Sequence, residues 1–198
     1  MNQLQQDTIE DTELVLDDKE QHYLGPSLVL NRCQIILRTN ANALTITDVR
    51  ISDCHIEAKK KLTNFQMWCA AKLRGCTFAG WYVGNDFGHW AEQNPNGAIE
   101  DCDFSKAILD GCRFMDCNAE SIVFPKWPCF TILHPAQHRK EIELVDWPGT
   151  LRIWANVVAA SLDITTASVG YAPTVAKQFD STEDELRSTL EGMNCVKM

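Results

Sequence analysis

Nowhere in this chain do about 18 apolar residues stand together, the length a membrane-spanning helix needs. Its opening residues, MNQLQQDTIEDTELVLDDKEQ, hold no basic stretch followed by an apolar one. A spanning helix and an export signal are therefore not expected, and a soluble, cytoplasmic protein is. Cations are scarce: 18 Lys and Arg against 27 Asp and Glu leave a net charge of −9. Neutralising phosphates takes clustered Lys and Arg, so direct nucleic-acid binding is disfavoured and a basic partner is favoured. No C-x₂-C pair announces structural zinc. No G-x-S-x-G turn or phosphate loop supplies a frame for nucleophilic or nucleotide chemistry. The expectation is a chain without cofactor, metal or catalysis.

Cysteine is abundant, with nine residues. The count is odd, no export signal accompanies it, and the chain is long enough to bury a core without staples. The thiols are read as reduced, small, apolar core residues. Cys54 and His55 are neighbours in sequence, but adjacent residues of a β-coil face opposite ways, so they form no catalytic pair.

Repeats decide the fold. From Gly97 the chain divides without gaps into GAIED, CDFSK, AILDG, CRFMD, CNAES and IVFPK. The third residue of each unit is Ile99, Phe104, Leu109, Phe114, Ala119 or Phe124. The first is Gly97, Cys102, Ala107, Cys112, Cys117 or Ile122. An α-helix steps about 100° per residue, so a period of five scatters these residues around its axis. A flat strand sends alternate units to opposite faces. A chain that turns a corner every five residues points them all inward, and four units close a coil of roughly 20 residues that must stack on its neighbours to bury a core. The register reappears upstream in LVLNR, CQIIL, LTITD, VRISD, CHIEA, AKLRG and CTFAG, with Cys-x-(Ile/Phe) at Cys33, Cys54, Cys76 and Cys102.

These units resemble the pentapeptide-repeat family; CDFSK fits its pattern of a small residue, Asp or Asn, then Leu or Phe, whereas Ala119 departs at the large position. The resemblance implies a right-handed quadrilateral β-helix over residues 28–126, preceded by an acidic arm and first-coil cap over 1–27. From Trp127 the register stops. LRIWANVVAASL has the spacing of an amphipathic helix, Asp180 with Glu183 reads as a helix start before TEDELRSTLEGM, and KWPCFTILHP and ELVDWPGT read as extended pieces. An α+β cap over 127–198 is expected, covering one open end and favouring a monomer.

Residues 84–96 contain Gly, Asn and Pro and read as a loop pushed out of one coil, a place where solenoids carry binding surfaces. Trp81, Tyr82, Phe87 and Trp90 cluster there with Asp86, His89 and Glu92. Aromatics bury large rigid area at low entropic cost, so these residues are candidates for a partner surface. Asp103 and Asp110 belong with Glu100, Asp101, Asp116 and Glu120 to an expected outward acidic stripe, whereas residues 1–22 carry seven Asp or Glu against one Lys. Two binding functions follow from the resemblance. One is an immunity protein that occludes a basic antibacterial toxin domain. The alternative is a DNA-mimicking protein that binds DNA gyrase, for which this solenoid is short and interrupted.

Overall fold

The computed structural model describes residues 2–198, and in it the chain climbs through about five coils of parallel strands. The first coil holds β1 (Asn2–Leu4), β2 (Thr8–Glu10) and β3 (Glu13–Asp17); the second holds β4 (His22–Leu24), β5 (Leu28–Asn31) and β6 (Gln34–Arg38). The third holds β7 (Leu44–Ile46), β8 (Val49–Ser52) and β9 (His55–Thr63). The fourth holds β10 (Ala71–Arg74), β11 (Thr77–Val83) and β12 (Asp86–Gly88), and the fifth β13 (Ala98–Glu100), β14 (Asp103–Asp110) and β15 (Cys112–Met115). Four parallel ladders result: β1-β4-β7, β2-β5-β8-β10-β13, β3-β6-β9-β11-β14 and the shorter β12-β15. The expected boundary at residue 28 therefore falls a full coil too late, because TELVLDD supplies β3 and the acidic arm is itself a coil.

Each coil needs a sharp corner between its second-ladder and third-ladder strands. The residue there has positive φ in all five coils: Asp11, Arg32, Asp53, Gly75 and Asp101, at 49°, 53°, 53°, 62° and 52°. Left-handed backbone suits Gly best, with Asp and Asn next. The amides of the first four corner residues donate to carbonyls of the following coil, as from Arg32 to Ser52 at 3.0 Å and from Asp53 to Arg74 at 2.9 Å, and that of Asp101 donates to Ser121 Oγ at 3.3 Å. The next residue must turn inward within a tight bend, and from the second coil to the fifth it is Cys33, Cys54, Cys76 and Cys102. Each thiol donates to the carbonyl two residues earlier, at 3.2–3.4 Å. The corner residue lengthens the coil beyond four five-residue units, so one coil advances 21 residues from Leu28 to Val49 and 22 from Val49 to Ala71.

The core changes character along the axis. Leu28, Leu30, Ile35, Ile46, Ile51 and Ile56 fill the early coils. Later, Phe78 stacks on Phe104 at 4.3 Å, and Phe87 stacks between Trp68 at 5.9 Å and Phe114 at 5.1 Å. In-register stacking puts like residues one above another, so an aromatic in one coil selects an aromatic in the next.

The cap comprises β16 (Cys129–Leu133), α1 (Arg139–Leu144), α2 (Leu151–Ala159), β17 (Thr165–Tyr171), α3 (Ala172–Gln178), α4 (Glu183–Glu191) and β18 (Val196–Lys197). β17 pairs antiparallel with β15, then β16 with β17 and β18 with β16, so the cap sheet grows directly out of the last coil. Alternation divides its side chains: Cys129, Ala167 and Val169 join the solenoid core, while Phe130 and Ile132 face Trp147, Leu151, Leu186 and Leu190. The expected helices at LRIWANVVAASL and TEDELRSTLEGM are α2 and α4. The start of α4 is Thr182 with Glu185 in a reciprocal capping box, two residues beyond the expected Asp180–Glu183 pair. ELVDWPGT was expected to be extended, yet α1 takes in Glu143 and Leu144 because Ile142 buries itself against the helical layer. Among the described residues no helix is long and apolar enough to cross a membrane.

Truncating Phe104 to Ala removes one ring from a stack that its neighbours cannot collapse to fill. We expect a loss of about 3–5 kcal/mol in unfolding free energy by urea titration, against under about 0.5 kcal/mol for Ser105→Ala on the exposed face.

Candidate interaction site

The extrusion between the fourth and fifth coils is shorter than the expected 84–96. Asp86, Phe87 and Gly88 form β12 inside the solenoid, and the chain leaves only at His89. The pairing from Lys72 to Ala98 spans 26 residues, a few more than an ordinary coil. Two glycines pinch the neck. Gly88 has φ of 96°, and a Cβ on Gly97 would lie 2.5 Å from the Gly88 carbonyl oxygen and closer still to that of Cys69. Neither position accepts a side chain without moving backbone. His89 N–H donates to the Met115 carbonyl at 2.9 Å and its Nδ1–H to the Gly97 carbonyl at 3.1 Å. Gln93 and Asn94 N–H both donate to the Trp90 carbonyl, which curls the tip into a tight turn.

The structure divides the expected site residues. Tyr82 and Phe87 are fully buried, Tyr82 donating through its hydroxyl to the Ile56 carbonyl at 3.2 Å, so neither offers surface to a partner. That expectation is corrected: both plug the core beneath the extrusion. Trp81 is half-buried with its ring under the Lys61 ammonium at 3.6 Å and edge-on to Tyr171 at 5.6 Å, a junction between solenoid and cap. Asp86 is buried and bidentately paired with Arg113, Nε to Oδ1 at 2.7 Å and Nη2 to Oδ2 at 2.9 Å. Arg113 in turn lies over the Trp90 ring at 5.3 Å. The buried carboxylate thus orients the guanidinium, and the guanidinium fixes the indole at the loop root.

Asp110 also departs from expectation. It is 9% exposed rather than part of an outward stripe, and accepts from the Thr174 hydroxyl at 2.8 Å. Burial raises its pKa above the ordinary carboxylate value, against smaller lowering effects from Thr174 and Lys61. Asp103 stands at the start of β14, half-buried, accepting the Ser105 N–H at 2.7 Å, and is not gathered with the loop. Glu100, Asp101, Asp116 and Glu120 are exposed as expected.

What the fold does gather is a cleft of about 330 Å³ between the loop and the solenoid–cap junction. His89, Trp90, Ala91 and Glu92 form one wall, Asp116 the floor, and Leu162, Asp163 and Ile164 the other wall. Asp116 N–H donates to the Ile164 carbonyl at 2.7 Å, tying the floor to the second wall. Leu162 and Ile164 remain 46% and 37% exposed, so the cleft combines aliphatic surface, one indole and three carboxylates without a Lys or Arg in its lining. Trp90 Nε1–H is buried without an acceptor among the described residues. A second hollow of about 520 Å³ lies on the other side of Trp90, beside Met67, Gln66 and Asn42. Sequence reasoning missed Leu162, Asp163 and Ile164, which lie far downstream and follow no motif.

Burial works against thiolate formation at several of the cysteines. It pushes the thiols of Cys54, Cys69 and Cys112 up to about 12. Of Asp86, His89 and Cys129, only His89 lines the cleft.

Comparison of the chain with protein-family models, with curated proteins and with solved structures found no match.

Two outcomes follow from these contacts. Arg113→Ala strands the Asp86 carboxylate in the core and costs about 3–5 kcal/mol in urea unfolding, whereas the double change with Asp86→Ala recovers part of the loss. For Asp110 the raised pKa means that the folded state favours the protonated acid. Its contribution to stability is present below the ordinary pKa of 3.8 and fades as pH rises through the folded value. Asp110→Asn keeps an acceptor for Thr174, so its stability relative to the parent rises from acid towards neutral pH, which paired unfolding curves will measure.

Proposed function

We propose that this chain is a pentapeptide-repeat-type solenoid that works by binding, as an immunity protein that captures and occludes a basic toxin domain. The observation carrying this reading is the cleft at the loop root, where Glu92, Asp116 and Asp163 surround Trp90, Leu162 and Ile164. Carboxylates around an aliphatic and aromatic floor suit a Lys or Arg side chain, whose stem packs on apolar surface while its head meets anions. The Trp90 ring already carries one guanidinium, that of Arg113, which shows that this indole accepts a cation over its face. The net charge of −9 supports attraction of a basic domain from a distance. Occlusion needs no chemistry from the binder, which accords with the Cys69 thiol held protonated and with Asp86 committed to Arg113.

The test is affinity capture with the tagged chain from its own cells, with mass spectrometry and a salt series. The expected catch is a basic toxin domain released by salt. Trp90→Ala is expected to raise the dissociation rate by roughly 30-fold, as for a central aromatic anchor worth about 2 kcal/mol. Charge reversal at Glu92 and Asp116 slows association and flattens its salt dependence, while Glu120→Lys, outside the cleft, leaves release unchanged. Capture of gyrase subunits instead would overturn the immunity reading, as would full retention of binding by Trp90→Ala together with Glu92→Lys.

A further inference from the structure

Three potential ligand atoms meet in the cap, away from the cleft. His138 precedes α1, and Glu141 lies three residues on, so both occupy one side of the helix's first turn. Cys195 arrives from the other end of the chain, immediately before β18, and its carbonyl accepts the Leu133 N–H at 2.8 Å. Asn194 N–H donates to Glu141 Oε1 at 2.9 Å, which fixes this last segment against the helix. One atom from each of His138, Glu141 and Cys195 lies within 4.8 Å of the others.

We infer that His138, Glu141 and Cys195 form a zinc site that clips the end of the chain to α1. A tetrahedral zinc ion with ligand bonds of about 2.0–2.3 Å holds its donor atoms roughly 3.3–3.7 Å apart. His138 Nδ1 and Glu141 Oε2 are now 2.7 Å apart across a hydrogen bond. They need to separate by under about 1 Å, and the thiol to close by a similar amount, for an ion to enter. The donor set decides the metal. Sulfur with imidazole selects a borderline-soft ion over magnesium or calcium, which want oxygen alone. Imidazole binds through the Nδ1 lone pair with its proton on Nε2, and the thiol releases its proton as the sulfur–metal bond forms. The side chains of His138 and Glu141 are 36% and 29% exposed, so water reaches the fourth position. Cys195 itself is 3% exposed and anchors the site from below.

The experiment uses the full-length chain, stripped with a chelator and titrated with cobalt(II). The expected result is a thiolate-to-cobalt charge-transfer band with tetrahedral visible bands, saturating at one equivalent and bleached by zinc. The unfolding midpoint rises with zinc and not with magnesium. Cys195→Ser removes the charge-transfer band. His138→Gln, at a half-buried position, weakens zinc binding roughly tenfold or more. Absence of the band at saturation overturns the inference, as does its survival in Cys195→Ser, which assigns the metal to another thiol. Should Cys195→Ser fail to fold, His138→Gln decides alone: unchanged zinc affinity overturns the site.

Discussion

Everything in the solenoid depends on how each coil passes its corner. An L-residue is held at positive φ, its amide tied to the next coil, and the following side chain is driven inward where little room remains. Cysteine meets that demand. It is small and apolar enough for a crowded corner, and its S–H adds a second donor to the carbonyl that already accepts the amide of the preceding coil's corner residue. Four cysteines in successive coils are therefore a structural column.

The cap is joined to this column by continuity rather than by apposition. Because β17 pairs with β15, the free edge of β15 is consumed by hydrogen bonds, and the cap sheet then acts as a floor shared by two cores. The cleft lies at this seam. Its floor comes from the turn after β15 and its far wall from the segment leading into β17, so its shape is set by the same pairing that closes the solenoid.

The solenoid was legible because five-residue spacing leaves one geometric solution, and Cys-x-(Ile/Phe) marked the corners outright. The first coil was illegible because Thr12 stands where the later coils carry Cys33, Cys54, Cys76 and Cys102, and acidic residues crowd its outer positions. Phe87 and Tyr82 looked like loop aromatics because Gly84 and Asn85 mimic a loop start. In fact Gly84, at φ of 61°, turns a corner, and the buried Asn85 accepts from the Trp68 indole N–H. The cleft and the His138–Glu141–Cys195 cluster are tertiary, built from residues dozens of positions apart, and no local spacing announces them.

The two ends of the solenoid are unlike. At the C-terminal end β15 carries β17, and β14 meets Val123. At the N-terminal end β1, β2 and β3 are each the outermost strand of their ladder. Unpaired strand edges invite another chain, and this edge is ringed by Asp7, Glu10, Asp11, Glu13, Asp17 and Asp18, of which Glu10 and Asp11 are partly offset by Arg32, Asp17 by Lys19 and Asp18 by Lys60. Like charge discourages two such edges from meeting.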